Sequence, residues 1–185
     1  MKESEYIKLT YRQTEGYHDQ LRAELYETVE EQYKHLGVNL REITFQDVNV
    51  AESWKKEYKN PKHAPQWDWV EMYHNYHSRG AARRLDLAIY KGNFLTGLAY
   101  GMLDRNRLIL KVHALAANPQ NDMIRGNMVN IVLFAANVYA LVNNVPEIWL
   151  CTPVTQAHVK LYSKRGYEPY YNSLDKCTHL IKRLK

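Results

Sequence analysis

The change of pattern at Leu85 constrains this chain more than any other feature. Between Leu85 and Leu115, short apolar stretches alternate with turn sequences: Leu85 to Tyr90, the turn Lys91-Gly92-Asn93, Phe94 to Leu103, the turn Asp104-Arg105-Asn106-Arg107, then Leu108 to Leu115. Such runs predict an antiparallel meander of three strands. Asn118-Pro119 breaks it. A long helix is expected from about Met128 to Val142, with Ile131, Val132, Ala135, Val138, Tyr139 and Val142 on its apolar face. The segment Ile148-Trp149-Leu150-Cys151 is then apolar at every position instead of alternating, which predicts a strand buried on both faces.

Ahead of the meander the periodicity is helical. Tyr17, Leu21, Leu25, Val29, Tyr33 and Leu36 recur every three or four residues between Thr14 and Gly37, an amphipathic helix. Tyr6 to Tyr11 and Ile43-Thr44-Phe45 are both candidate extended pieces, and the pattern does not decide which joins the sheet. Asn49 with Glu52 has the form of a capping box and predicts a short helix from Val50 to Tyr58, stopped by Asn60-Pro61. Lys62 to Arg84, rich in Trp, Tyr and His, is expected to be a long loop holding one short helix. After the buried strand, Thr155 caps a helix running to Lys164, Gly166 ends it in a left-handed conformation, and two strands near Tyr167 to Tyr171 and Lys176 to Lys182 close the chain.

With 185 residues, 45% of them hydrophobic, the chain can build one core without metals or disulfides, so residues 1–185 are expected to form one domain. No run approaches the ~18 consecutive apolar residues of a membrane span, and the N-terminal residues lack a secretory apolar stretch, so a cytoplasmic location and no membrane partner are expected. Cys151 and Cys177 lie far apart without metal-ligand spacing, so both are expected to be reduced and no metal is expected. A net charge of +5 favours an anionic ligand or partner, a phosphorylated cofactor or RNA alike.

The order of meander, Pro-interrupted loop, long helix, buried strand, short helix and closing strands resembles the GNAT superfamily of acyl-CoA-dependent N-acyltransferases over roughly Leu85 to Leu184. The sharpest local match is Ala157-His158-Val159-Lys160-Leu161-Tyr162-Ser163-Lys164-Arg165-Gly166-Tyr167, similar to that family's A-x-x-L-Y-x-K-x-G-F/Y segment. The resemblance implies an α/β (mixed α+β) fold: a mixed, mostly antiparallel sheet flanked by helices and splayed between the fourth and fifth strands. Residues 85–185 would be the acyl-CoA-binding core, and 1–84 a variable helical region covering the acceptor side.

It also implies roles. The strands Leu108 to Leu115 and Ile148 to Cys151 would splay to admit the pantetheine arm of acetyl-CoA or another acyl-CoA, with Val112, Ala114 and Leu115 supplying backbone contacts. The family's pyrophosphate loop, Q/R-x-x-G-x-G/A leading into a helix, suits an anion because helix N-terminal N–H groups lack partners. Here it is degenerate: one register puts Met123, Gly126 and Met128 at the defining positions, another Arg125, Met128 and Asn130. We favour the first, with Gly126 approaching the phosphates, Arg125 supplying charge and Asn127 at the helix entry, where Met128 would crowd the space a glycine leaves open. Tyr162 matches the tyrosine that protonates the leaving thiolate. His113 falls where relatives place a general base, though a lone strand histidine also serves structure. Trp67, Asp68, Trp69, Glu71 and Tyr73 lie where an acceptor wall is expected, in an aromatic segment that runs on through His74, Tyr76 and His77; alternatively the two indoles anchor a loop to the core. Arg83, Arg84 and Asp86 read as a solvated strand end.

The expected activity is transfer of an acetyl or other acyl group from acyl-CoA to the primary amine of a small molecule or protein, by direct attack in a ternary complex. Two alternatives remain open: an inactive GNAT-like module binding protein or nucleic acid, or an aminoacyl-tRNA-acetylating toxin. A homodimer is compatible with either.

Overall fold

A computed structural model describes residues 11–59, 64–65, 67–77, 81–120, 124, 126–151, 156–173 and 177–184. Helix α1 (Tyr11–Gln32) opens it and is followed by a 3₁₀ turn, Lys34–Leu36, which Gly37 closes at φ 62°. The buried stripe of α1 is His18, Arg22, Leu25 and Val29. Its N-terminal half therefore buries polar side chains that an apolar pattern does not mark. Strand β1 (Val38–Arg41) joins the sheet, running antiparallel to β2 (Arg84–Lys91). Neither expected extended piece supplies it. Residues 6–10 lie outside the described residues, Tyr11 is already helical, and Phe45 begins a helix.

That helix, α2 (Phe45–Trp54), starts earlier than the Asn49/Glu52 pattern predicted. The capping box is Thr44 with Asp47: Thr44 Oγ1 accepts from the Asp47 N–H, and the Asp47 carboxylate accepts from the Thr44 N–H at 2.8 Å. This frame prevails because it turns Val48, Ala51 and Trp54 into the core together. Helix α3 (Trp69–Tyr76) is capped by Asp68, whose side chain accepts from the Glu71 N–H at 2.9 Å. The meander β2, β3 (Phe94–Leu103) and β4 (Ile109–Ala117) follows as expected. Then come α4 (Met128–Val142), β5 (Glu147–Leu150), α5 (Gln156–Ser163), β6 (Glu168–Asn172) and β7 (Cys177–Arg183). Gly166, at φ 82°, makes the left-handed exit after α5; the cap assigned to Thr155 lies outside the described residues.

The strands form a seven-stranded sheet in the order β1-β2-β3-β4-β5-β7-β6, antiparallel except for the β4–β5 pair. One face packs α1 and α4 against Leu85, Leu87, Ile89, Leu110 and Val112. The other packs α2 and α3, through Trp54, Trp69 and Tyr76, against Ala88, Tyr100, Ala114 and Ala116. The change of side along β4, from Val112 to Ala114, has a local cause. Gly101 pairs with Val112 and Tyr100 with Ala114, leaving His113 as the extra residue of a β-bulge.

Arg84 and Asp86 are buried, contrary to the solvated strand end expected for them; Arg83 alone stays near the surface, donating to the carbonyls of Asp104 and Arg105. Because β1 stops opposite Ala88, the outer edge of β2 is uncovered before that point, and α1 reaches across it. Asp86 lies 3.7 Å from Arg22 Nε, 3.6 Å from Arg84 Nε and 3.5 Å from His77 Nε2, and Tyr26 donates to its backbone carbonyl at 2.9 Å. Glu42 completes the cluster through Arg84 and His77. Burial acts to lower the His77 pKa, but the Asp86 and Glu42 carboxylates and the Tyr73 carbonyl outweigh it and raise it to about 9. Ligand atoms of Glu42, His77 and Asp86 lie within 4.8 Å of one another. Two guanidiniums already share these carboxylates, so the charge balance is that of an ion-pair cluster and not of a cation site.

Candidate active site

β4 and β5 run side by side only from Ile109–Glu147 to Val112–Leu150, where the Cys151 N–H donates to the Val112 carbonyl at 2.9 Å. Among the described residues, β4 continues beyond that bond through 113–117 against β3 alone, and the sheet opens in a V whose apex is Val112. Its carbonyl is therefore occupied, and contacts to a ligand in the V start past it. Ala114 turns to the α2–α3 side, and Leu115 packs toward α4.

His113 points to the α2–α3 side, 6.1 Å ring to ring from Tyr76 at the end of α3. Burial, with Lys111 and His179 nearby, lowers its pKa to about 4, so its imidazole is neutral at physiological pH. His179 stands one step beyond the Leu150–Leu180 pair, level with Cys151 and opposite Tyr170. Trp149 lies 5.3 Å from the His179 ring and 5.4 Å from the Tyr170 ring, with Lys111 Nζ 5.6 Å over its face. Cys151, half-buried and outside any disulfide, lies close enough to Tyr76 to raise its pKa further after burial has done so.

At the other side of the V, Gly126 takes φ 81°, which favours glycine, and a Cβ there would meet open space. Asn127 precedes α4 without capping it through its side chain, so the first-turn N–H groups keep the capacity to bind an anion. Met128 does not crowd that entry as its position in the loop suggested. Its side chain is buried against the sheet, where a Cβ on Gly97 would collide with its Sδ and Cε. The missing glycine of the loop is thus compensated by a glycine on β3. Met123 and Arg125 lie outside the described residues. Arg165, after α5, donates from Nε to Asn130 Oδ1 at 2.8 Å and brings a positive charge beside the first turn of α4.

Tyr162 sits on α5, packed against the core between sheet and helix, 6.3 Å ring to ring from Tyr167. Burial raises its pKa, so the phenol keeps its proton. The five residues expected to wall the acceptor behave differently from one another. Trp67 and Trp69 pack together in the second core, the anchoring alternative; Asp68 caps α3; Glu71 is exposed; Tyr73 stacks on His77 at 4.0 Å. The side chain of α3 that reaches His113 is Tyr76, from the same aromatic segment; sequence reasoning missed Trp149 and His179.

No known family profile matches the sequence. No curated protein matches it either. Solved structures do resemble its fold. An acetyltransferase of the GNAT family from Staphylococcus aureus Mu50 matches with a TM-score of 0.61 at 13% identity, over 80% of this chain and 99% of that one. The ribosomal-protein-S18-alanine N-acetyltransferase from Escherichia coli gives 0.58 at 14% identity, over 80% and 94%. The PaiA N-acetyltransferase from Thermoplasma acidophilum, in complex with coenzyme A, gives 0.55 at 14% identity, over 80% and 99%. With its parallel pair splayed at β4 and β5 and helices on both faces, this chain has the GNAT fold.

Proposed function

We propose that this chain is an N-acyltransferase that moves an acyl group, acetyl by default, from acyl-CoA to a primary amine. The observation that carries the reading is the V itself: among the described residues the β4–β5 pairing ends at Val112 while β4 runs on from His113 to Ala117, and the start of α4 has no side-chain cap. When bound, acyl-CoA would supply an activated thioester.

The residues divide the remaining work. The Gly126-Asn127 turn and the first turn of α4 hold the pyrophosphate, because dipole and free N–H groups both favour an anion there. The open edge of β4 around Ala114 and Leu115 pairs with the amides of the pantetheine arm. Acyl transfer forms a C–N bond as the C–S bond breaks. His113, neutral but weakly basic, takes the proton from the attacking nitrogen once that nitrogen has become positive and strongly acidic. Tyr162 delivers a proton to the departing sulfur, and its raised pKa ensures that it has one to give.

Replacing Tyr162 with Phe removes that proton while keeping the ring in the core. The expected result is a fall in kcat of about 10²- to 10⁴-fold, the range of a lost general acid, with acyl-CoA affinity nearly unchanged. Free-thiol release measures the first and calorimetry the second. Unchanged kcat would remove Tyr162 from the mechanism.

A further inference from the structure

The last turn of α3 covers His113. Tyr76 stands edge-on to the imidazole, 6.1 Å ring to ring at 72°, and packs at 4.5 Å on Tyr100 of β3. Where that turn sits therefore governs how much water reaches His113. The start of α3 is fixed by its Asp68 cap and by Glu52 of α2, which accepts from the Trp69 N–H at 3.1 Å. Its end is fixed by His77, the residue after Tyr76 and the C-cap of the helix. His77 Nδ1 lies 3.0 Å from the Tyr73 carbonyl oxygen, which can only accept, so this nitrogen carries a proton. Nε2 faces Glu42 Oε1 at 3.4 Å and Asp86 Oδ2 at 3.5 Å. A bare lone pair there would oppose two carboxylates, so the second nitrogen is protonated as well and the ring is an imidazolium. Arg22 of α1 and Arg84 of β2 hold the same carboxylates from the other side, and the Tyr73 ring stacks on His77 at 4.0 Å.

We infer that His77 is a positioning residue: paired with Glu42 and Asp86, it clamps the end of α3 to the sheet and so holds Tyr76 over the base His113. The effect on catalysis rests on the acyltransferase reading above; the clamp itself does not. Once the clamp is released, water reaches His113, its pKa climbs from about 4 toward the ordinary 6.5, and the ring is no longer held in one place for the acceptor nitrogen.

Titration of the His113 ring by proton NMR follows the clamp without any ligand. In the unaltered protein the ring should stay neutral down to about pH 4. In His77→Gln, which removes the charge, its pKa should rise by about one unit or more, and His77→Arg, which keeps the charge, should reverse most of that rise. Lys111 and His179, which also lower it, stand on β4 and β7 and remain in both variants. With acetyl-CoA and whichever of benzylamine or spermidine the protein acetylates, kcat at pH 7 should fall about tenfold or more in His77→Gln while KM for acetyl-CoA stays within about twofold. An unmoved His113 pKa or an unchanged kcat in His77→Gln overturns the inference, as does a pKa near 6.5 in the unaltered protein. Where circular dichroism shows that His77→Gln does not fold, Glu42→Gln, which removes the half-exposed partner, takes its place: a raised His113 pKa supports the clamp and an unmoved one overturns it. If calorimetry finds no acetyl-CoA binding, the transfer reading falls separately, and the titration still decides whether His77 holds Tyr76 over His113.

Discussion

Replacing Asp86 with Asn tests whether the buried charge cluster holds α1, α3 and β2 together. The substitution keeps shape and removes one charge. Asp86 is fully buried and faces Arg22 at 3.7 Å, Arg84 at 3.6 Å and His77 at 3.5 Å. Arg22 and Arg84 are themselves buried, so solvent does little to compensate the charges left behind. Breaking a buried pair by removing one partner costs about 3–5 kcal/mol. For 185 residues the unfolding entropy near the midpoint is about 0.39 kcal/mol/K, which turns that loss into a fall in Tm of about 8–13 °C. Glu42, half exposed, gives an internal control: Glu42→Gln should cost far less because solvent already screens it. Calorimetric unfolding of both variants at pH 7 is the assay. A drop below about 3 °C for Asp86→Asn would show that the cluster is not holding the elements together.

Two further outcomes follow from buried groups. His18 and His113 have pKa values lowered by burial to about 3 and about 4, below the ordinary 6.5, so the unfolded chain binds more protons than the folded one. Their contribution is intact above pH 6.5 and is lost as pH falls toward 4 and 3; each should withdraw on the order of 1–2 kcal/mol between pH 7 and pH 5. Thermal scans at those two pH values should therefore show Tm falling on acidification, with a shallower fall in His113→Asn. A Tm that stays level would contradict the burial. Gly97→Ala places a methyl against Met128 and 3.0 Å from the Ala116 carbonyl oxygen, and should destabilise by about 1–3 kcal/mol. Met128→Ala in the same chain should relieve part of that cost in denaturant unfolding, whereas strictly additive losses would mean that the two residues do not share the space.

Much of the architecture was legible because it depends on local rules. The meander, α4, the apolar β5 and the exit at Gly166 follow from turn residues and periodicity, and each was found within a few residues of its expected place. β1 was missed because a four-residue strand, Val38–Arg41, carries little periodicity of its own and is defined by its pairing with β2. The start of α2 was misplaced because Thr44/Asp47 and Asn49/Glu52 offer the same capping pattern five residues apart, and only the burial of Trp54 decides between them. Arg84 and Asp86 looked solvated because their partners Arg22, Glu42 and His77 are distant in sequence. The same limit applies at the V: Trp149, His179, Tyr170 and Lys111 come from four different strands, and only the order β4-β5-β7-β6 assembles them.

The central claim, that the V between β4 and β5 receives an acyl-CoA, is tested most directly by calorimetric titration of the protein with acetyl-CoA, beside the variant Gly126→Val. A β-branched residue is strained at φ 81° and stands where the backbone should meet the phosphates. The account predicts saturable binding of one acetyl-CoA per chain, weakened at least tenfold in the variant, a change of about 1.4 kcal/mol. Absence of binding by acetyl-CoA and by free CoA to the unaltered protein would contradict it.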